Sequence, residues 1–168
     1  TALGLLGLPA LVAIDRSTAE TAAALAPKVA ILEQLQIFAT ASRTVLERLL
    51  RSSVEEEFPP GTVILREGEP ADDFYVLLDG EVEVTARGEH AGDERSVRTM
   101  SAPGYFGEIG VLQHVPRTAT ITASSECRCQ RIEGTALLDS LTSVSASSSL
   151  MENVRSRLAI THPSLSAH

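Results

Sequence analysis

The sequence predicts a mainly β domain, a closed β-roll or jelly roll with α-helices flanking it at both ends (α+β). Three observations carry this. Short apolar or alternating runs recur from Thr62 to Ile132, each bounded by Gly, Pro or Asp turn signals. Apolar residues at helical spacing precede them. Helical spacing returns after Gly134.

The elements follow in order. Asp15 or Ser17 can cap a helix, and Ser17 with Glu20 makes a capping-box pair. Ala-rich sequence runs to Pro27, which suits the first turn of the next helix. Residues 1–27 are therefore read as a helical segment or linker, and 28–52 as the N-terminal helices. Val29, Leu32, Leu35 and Phe38 form one stripe; after Ser42, Val45, Leu46, Leu49 and Leu50 form another. Both stripes are read as core. Phe58-Pro59-Pro60-Gly61 breaks the helical pattern, and residues 53–134 make the roll. Its strands are Thr62 to Arg66, Phe74 to Leu78, Glu81 to Thr85, Val97 to Met100, Arg117 to Ala123 and Glu126 to Ile132. Asp79-Gly80 between two of these runs is a two-residue hairpin signal. The polar stretch from Arg87 to Arg95 is a loop of freely variable length, and Pro103-Gly104 closes the strand before it. Thr135 to Leu141 is a short helix. A last helix carries Leu150, Met151, Val154 and Leu158, so residues 135–160 are helical and 161–168 a tail.

Composition narrows the function. The chain has 168 residues, enough for one domain with a substantial core. Its net charge of −8 argues against broad nucleic-acid binding, which needs a basic face. Cys127 and Cys129 lie two apart, on one face of a strand, where a mutual bridge is awkward. They read as free thiols in a reducing compartment. The four histidines are scattered, and no nucleophile elbow, P-loop, HExxH or acidic metal cluster occurs. No catalytic residue, no metal ligand and no cofactor is expected, and the chain does not read as an enzyme. No run reaches the ~18–20 apolar residues of a membrane span. Thr1 to Ile14 is apolar, and two readings stay open: a locally packed helix, or the end of a hydrophobic segment in a larger protein, the latter being favoured.

The chemistry concentrates in residues 104–120. Phe106-Gly107-Glu108-Ile109-Gly110 is followed by Val111 to Val115 and then Pro116-Arg117-Thr118-Ala119-Thr120. Gly107 lets the backbone approach a ligand closely. A short helix from Gly107 to Val111 would turn its first N–H groups toward an anion. Arg117 forks onto two oxygens at once, which suits a phosphate. Thr118 adds a hydroxyl, and the Ala119 N–H is a further donor. Glu108 repels a phosphate, so it fits better as the acceptor of a ribose 2′-OH. A glycine, a carboxylate and an arginine at this spacing suit a small anionic sugar phosphate.

This segment resembles the phosphate-binding cassette of cyclic-nucleotide-binding domains, as in protein kinase A regulatory subunits, catabolite activator proteins and nucleotide-gated channels. The similarity spans about Leu35 to Leu158 and includes Pro60-Gly61, Glu67-Gly68, Phe74-Tyr75 and Asp79-Gly80. It implies an eight-stranded roll. It implies that Phe106, Gly107, Glu108, Ile109, Gly110, Arg117, Thr118 and Ala119 bind the ligand, with Val84 and Met100 lining the base side. It also implies a C-terminal lid, for which Arg155, Leu158 and Ile160 are the candidates. The expected ligand is cAMP, with cGMP as the alternative. The expected partners are an effector domain in the same polypeptide or a separate protein, with a membrane or transport domain N-terminal to a cytoplasmic sensor. The stretch after Gly134 is too short for a helix-turn-helix DNA-binding domain. The competing function is a non-signalling oligomerisation module with a degenerate pocket.

Overall fold

The structure, a computed structural model, describes residues 8–88, 94–142 and Ser156. The lid candidates Arg155, Leu158 and Ile160, and the helix expected around them, lie outside the described residues. The chain runs through helix α1 (Leu8–Glu33), a 3-10 turn (Gln36–Phe38), α2 (Arg43–Arg51), strands β1 (Val54–Phe58), β2 (Val63–Leu65), β3 (Asp73–Asp79), β4 (Glu81–Arg87), β5 (Glu94–Ser101) and β6 (Gly104–Phe106), α3 (Glu108–Gln113), β7 (Thr120–Ala123), β8 (Cys127–Glu133) and α4 (Gly134–Thr142). The eight strands form two four-stranded antiparallel sheets, β1-β8-β3-β6 and β2-β7-β4-β5. This is the expected roll with flanking helices.

β3 explains the architecture. Its run Phe74-Tyr75-Val76-Leu77-Leu78 is buried throughout, because both of its faces are covered. Phe74, Val76 and Leu78 join Val29, Leu32, Phe38, Leu46 and Leu137 in a cluster under the helices. Tyr75 and Leu77 join Leu65, Val82, Val84, Phe106, Ile121 and both cysteines between the sheets. The two cysteines are free and fully buried, as same-face neighbours on β8.

Helix α2 starts as its sequence predicts. The Ser42 hydroxyl accepts the Val45 N–H, and Arg48 and Arg51 sit in the last turn, where the helix dipole favours cations.

Several features differ from the sequence expectation. The strand expected from Arg117 begins at Thr120, and the one expected from Val97 begins at Glu94. Pro27 does not begin a new helix but lies inside α1, which runs unbroken from Leu8 to Glu33. An interior proline costs about 3 kcal/mol. Here its loss falls at an exposed position, where water can serve the orphaned carbonyl of Ala23, and burial of Val29 and Leu32 holds the next turns. β1 was not legible, since three successive glutamates hide its alternation. It pairs antiparallel with β8 from Val54–Arg131 to Phe58–Cys127. β6 is three residues long and is an edge strand on β3. Asp79-Gly80 does not close a hairpin: β3 and β4 lie in different sheets. A type I′ turn needs positive φ at both central residues, and only Gly80 has it, at +93°. A Cβ on Gly80 would meet the Glu126 carbonyl at 2.3 Å, so the pair forms the corner where the chain crosses between sheets.

Candidate functional site

The site lies at the end of the roll where β6 leaves its sheet. Gly107 follows Phe106 with φ +84° and precedes α3 as its N-terminal boundary. A side chain there is strained by the backbone. It would also collide: a Cβ would lie 2.8 Å from Arg117 Nη1. Glycine is thus required both by the turn and by the approach of Arg117. Gly110 is as constrained, since a Cβ would lie 2.3 Å from the Ala71 methyl.

Arg117 is fixed from three directions. Its Nη1 donates to the Gly107 carbonyl at 3.1 Å. Its backbone N–H donates to Glu69 O, and its carbonyl accepts from Gly68 N, both at 2.8 Å. The turn at Glu67-Gly68 thus clamps the cassette arm, and the Thr120 hydroxyl accepts the Glu67 N–H at 3.1 Å. The guanidinium is buried, with 6% of the residue exposed, yet no carboxylate stands within ion-pair distance among the described residues. Burial lowers its pKa from the ordinary value, and the fields of Tyr75, Asp73, Asp72 and Glu69 oppose that. A cation held by one carbonyl, facing a cavity, has capacity for an anion.

The cavity holds about 530 Å³ including its open mouth. Among the expected residues, Phe106, Gly107, Glu108, Ile109, Gly110, Arg117, Thr118, Ala119 and Val84 all line it. Glu108 and Thr118 are buried there beside Arg117. Met100 does not line it. Its sulfur packs instead over Gly104, 2.8 Å from where a Cβ would stand. A bulge accounts for what takes its place. Val84 pairs with Arg98 but Thr85 with Ser96, leaving Val97 as the extra residue in β5. Two consecutive side chains, Val97 and Arg98, therefore line the cavity, where a regular strand would offer one. Leu65 and Ile121 complete the wall. Leu65 and Ile121 were legible only as core, and a bulge leaves no mark in the alternation of a strand this polar.

Among the described residues no cluster of His, Cys, Asp or Glu is arranged to hold a metal, and no helix is long and apolar enough to cross a membrane.

Comparison with known proteins bears on this geometry. The family model described as cyclic nucleotide-binding domain matches residues 55–143. A cAMP-dependent protein kinase regulatory subunit of Pyricularia oryzae is 31% identical over 97 residues, covering 58% of this chain and 24% of that protein. The potassium channel AKT2 of Oryza sativa subsp. japonica is 30% identical over 113 residues, covering 67% of this chain and 13% of that protein. The chain thus spans less than a quarter of either relative. The crystal structure of the sensor domain of the transcriptional regulator DNR from Pseudomonas aeruginosa superposes with a TM-score of 0.69 at 25% identity, covering 80% of this chain and 92% of that one.

Proposed function

Because the chain belongs to the cyclic nucleotide-binding domain family, we propose that it is the receptor module of a larger cytoplasmic or membrane-attached protein, binding cAMP or cGMP and passing the event to flanking helices. The observation that carries this is Arg117: a buried guanidinium held by the Gly107 carbonyl at the cavity wall, without a carboxylate partner among the described residues. A cyclic phosphate supplies the missing charge. The roles proposed for the neighbours follow from their chemistry. Glu108 accepts the ribose 2′-OH, Thr118 and the Ala119 N–H add donors to the phosphate, and Val84 packs on the base. Binding rather than turnover is the work proposed for the site, in keeping with the family. Signalling further requires that the ligand prefer one of two conformations.

cAMP is the ligand proposed first. Arg98 is the residue through which a guanine preference would be expressed, since a guanidinium meets two acceptors on the O6/N7 edge of guanine but an acceptor and a donor on adenine. Titration calorimetry with both nucleotides tests the proposal. Saturable binding is expected, weakened by about 2–5 kcal/mol in Arg117→Ala and weakened for the 2′-deoxy ligand. Absence of binding of either nucleotide to folded protein would end it. Arg98→Ala is expected to shift the ratio of the two affinities toward cAMP.

A further inference from the structure

Resting on that reading of the site, we infer that Tyr75 is a positioning residue for the phosphate arm, acting through the ring of Phe106. The arm depends on one junction. The Gly107 carbonyl that anchors Arg117 follows directly on Phe106, the last residue of β6. β6 is a weak tether, because it is three residues long and paired on one side only, with β3. Something besides its ladder must fix where it ends.

Tyr75 stands opposite Phe106 in that ladder. Their rings are stacked, 5.4 Å between centroids and 7° from parallel. The other aromatic contacts among the described residues, Phe38 with Phe74 and Phe74 with Tyr105, belong to the cluster under the helices. Among the described residues, Tyr75–Phe106 is the ring pair that includes a cavity-lining residue, and it belongs to the cluster between the sheets.

The chemistry of a tyrosine suits this place. Arg117 and Tyr75 lie close enough for each to feel the other's charge. Burial, followed by the charges of Glu56 and Asp73, pushes the phenol up to about 12, so it stays neutral at working pH. A carboxylate in its place would set a negative charge within the field of the guanidinium and compete with the ligand. A neutral ring holds the arm and leaves its charge available.

The test is cAMP titration of the whole chain as wild type, Tyr75→Leu and Tyr75→Phe, each repeated in an Arg117→Lys background, with thermal unfolding to establish that each variant is folded. Loss of the stack is expected to weaken binding roughly three- to tenfold in Tyr75→Leu, and Tyr75→Phe is expected to retain wild-type affinity within about twofold. In the Arg117→Lys background the leucine change is expected to cost clearly less, because both changes act on one arm. A merely structural role would give the same loss in both backgrounds, and that result overturns the inference. So does a folded Tyr75→Leu that binds as wild type. If the leucine variant fails to fold, Tyr75→Met carries the same comparison. Wild type that binds no nucleotide instead sinks the receptor reading, and this inference with it.

Discussion

The cluster under the helices and the cavity end of the roll are built on opposite terms. Under the helices, Phe74, Val76, Leu46, Leu137 and their neighbours are apolar and almost wholly shielded. The polar groups buried near them are neutral: Gln130 Nε2 donates to the Ser53 hydroxyl, which donates to Leu50 O, while Gln130 Oε1 has no partner among the described residues. At the cavity end the chain buries Glu108 and Arg117, the two charged residues shielded from solvent among those described. One region spends its sequence on holding the fold. The other buries the Arg117 guanidinium with no carboxylate in ion-pair distance among the described residues, which lowers stability unless an anion arrives to meet it.

The contrast is open to attack, beginning where the effect is largest. Phe74→Ala removes a fully buried ring that touches Phe38 and Tyr105. It is expected to cost about 3–5 kcal/mol in denaturant unfolding, with little change in the affinity of the protein that stays folded. Arg117→Ala should do the reverse: a large loss of nucleotide binding with unfolding free energy unchanged or raised by up to ~1 kcal/mol, because a charge without a carboxylate partner is removed. A marked destabilisation instead would make Arg117 part of the scaffold and dissolve the distinction. Gly107→Ala sits on the boundary between the regions. Its φ of +84° and the 2.8 Å approach of Arg117 Nη1 should together cost about 1–3 kcal/mol in stability and weaken binding as well.

Alkaline titration probes the roll interior without mutation. Burial raises Cys129 from 9.0 to about 12, with Cys127 and Glu56 adding to it, and Tyr75 from 10.0 to about 12. The folded state holds these protons more tightly than the unfolded chain does. The stability they contribute is therefore whole below pH 9 and falls through pH 12. The slope is up to about 1.4 kcal/mol per pH unit for each group. Unfolding measured against pH should steepen from pH 9, and Cys129→Val should remove the earlier part. The smallest effect belongs to the surface. Lys28 pairs with Glu55 on β1 at 2.5 Å, but both side chains are about a third exposed, so Glu55→Gln should cost less than ~1 kcal/mol.

How much the sequence disclosed also divides along chemical lines. Where a residue type has one physical use, position followed from it. Ser42 caps α2, and the cassette glycines stand where no side chain has room. The stripes Val29–Phe38 and Leu46–Leu50 are buried. Where pattern is degenerate, reading failed. The glutamates of β1 alternate in environment but not in type, with Glu56 drawn onto Arg131 at 2.7 Å. Asp79-Gly80 carries the signature of a hairpin, yet the corner between sheets needs the same glycine. Pro27 broke a helix on paper that the burial of Val29 and Leu32 beyond it keeps whole. In the cavity, Met100 was expected from the family resemblance, but its sulfur packs over Gly104, and the bulge at Val97 brings Val97 to the wall beside Arg98 instead.

That bulge also separates two parts of β5 in phase. On one side of it, Arg98 pairs with Val84 at the cavity; on the other, Ser96, Arg95 and Glu94 pair with Thr85, Ala86 and Arg87 at the end of the ribbon. An odd residue absorbed at Val97 means that the two halves keep separate registers. Length changes toward the polar stretch after Arg87 can be accommodated at the ribbon's end without rotating Arg98 or Val84 out of the binding wall. Changes in the pairing of Glu94 to Ser96 with Thr85 to Arg87 thus leave the cavity wall at Arg98 and Val84 in place.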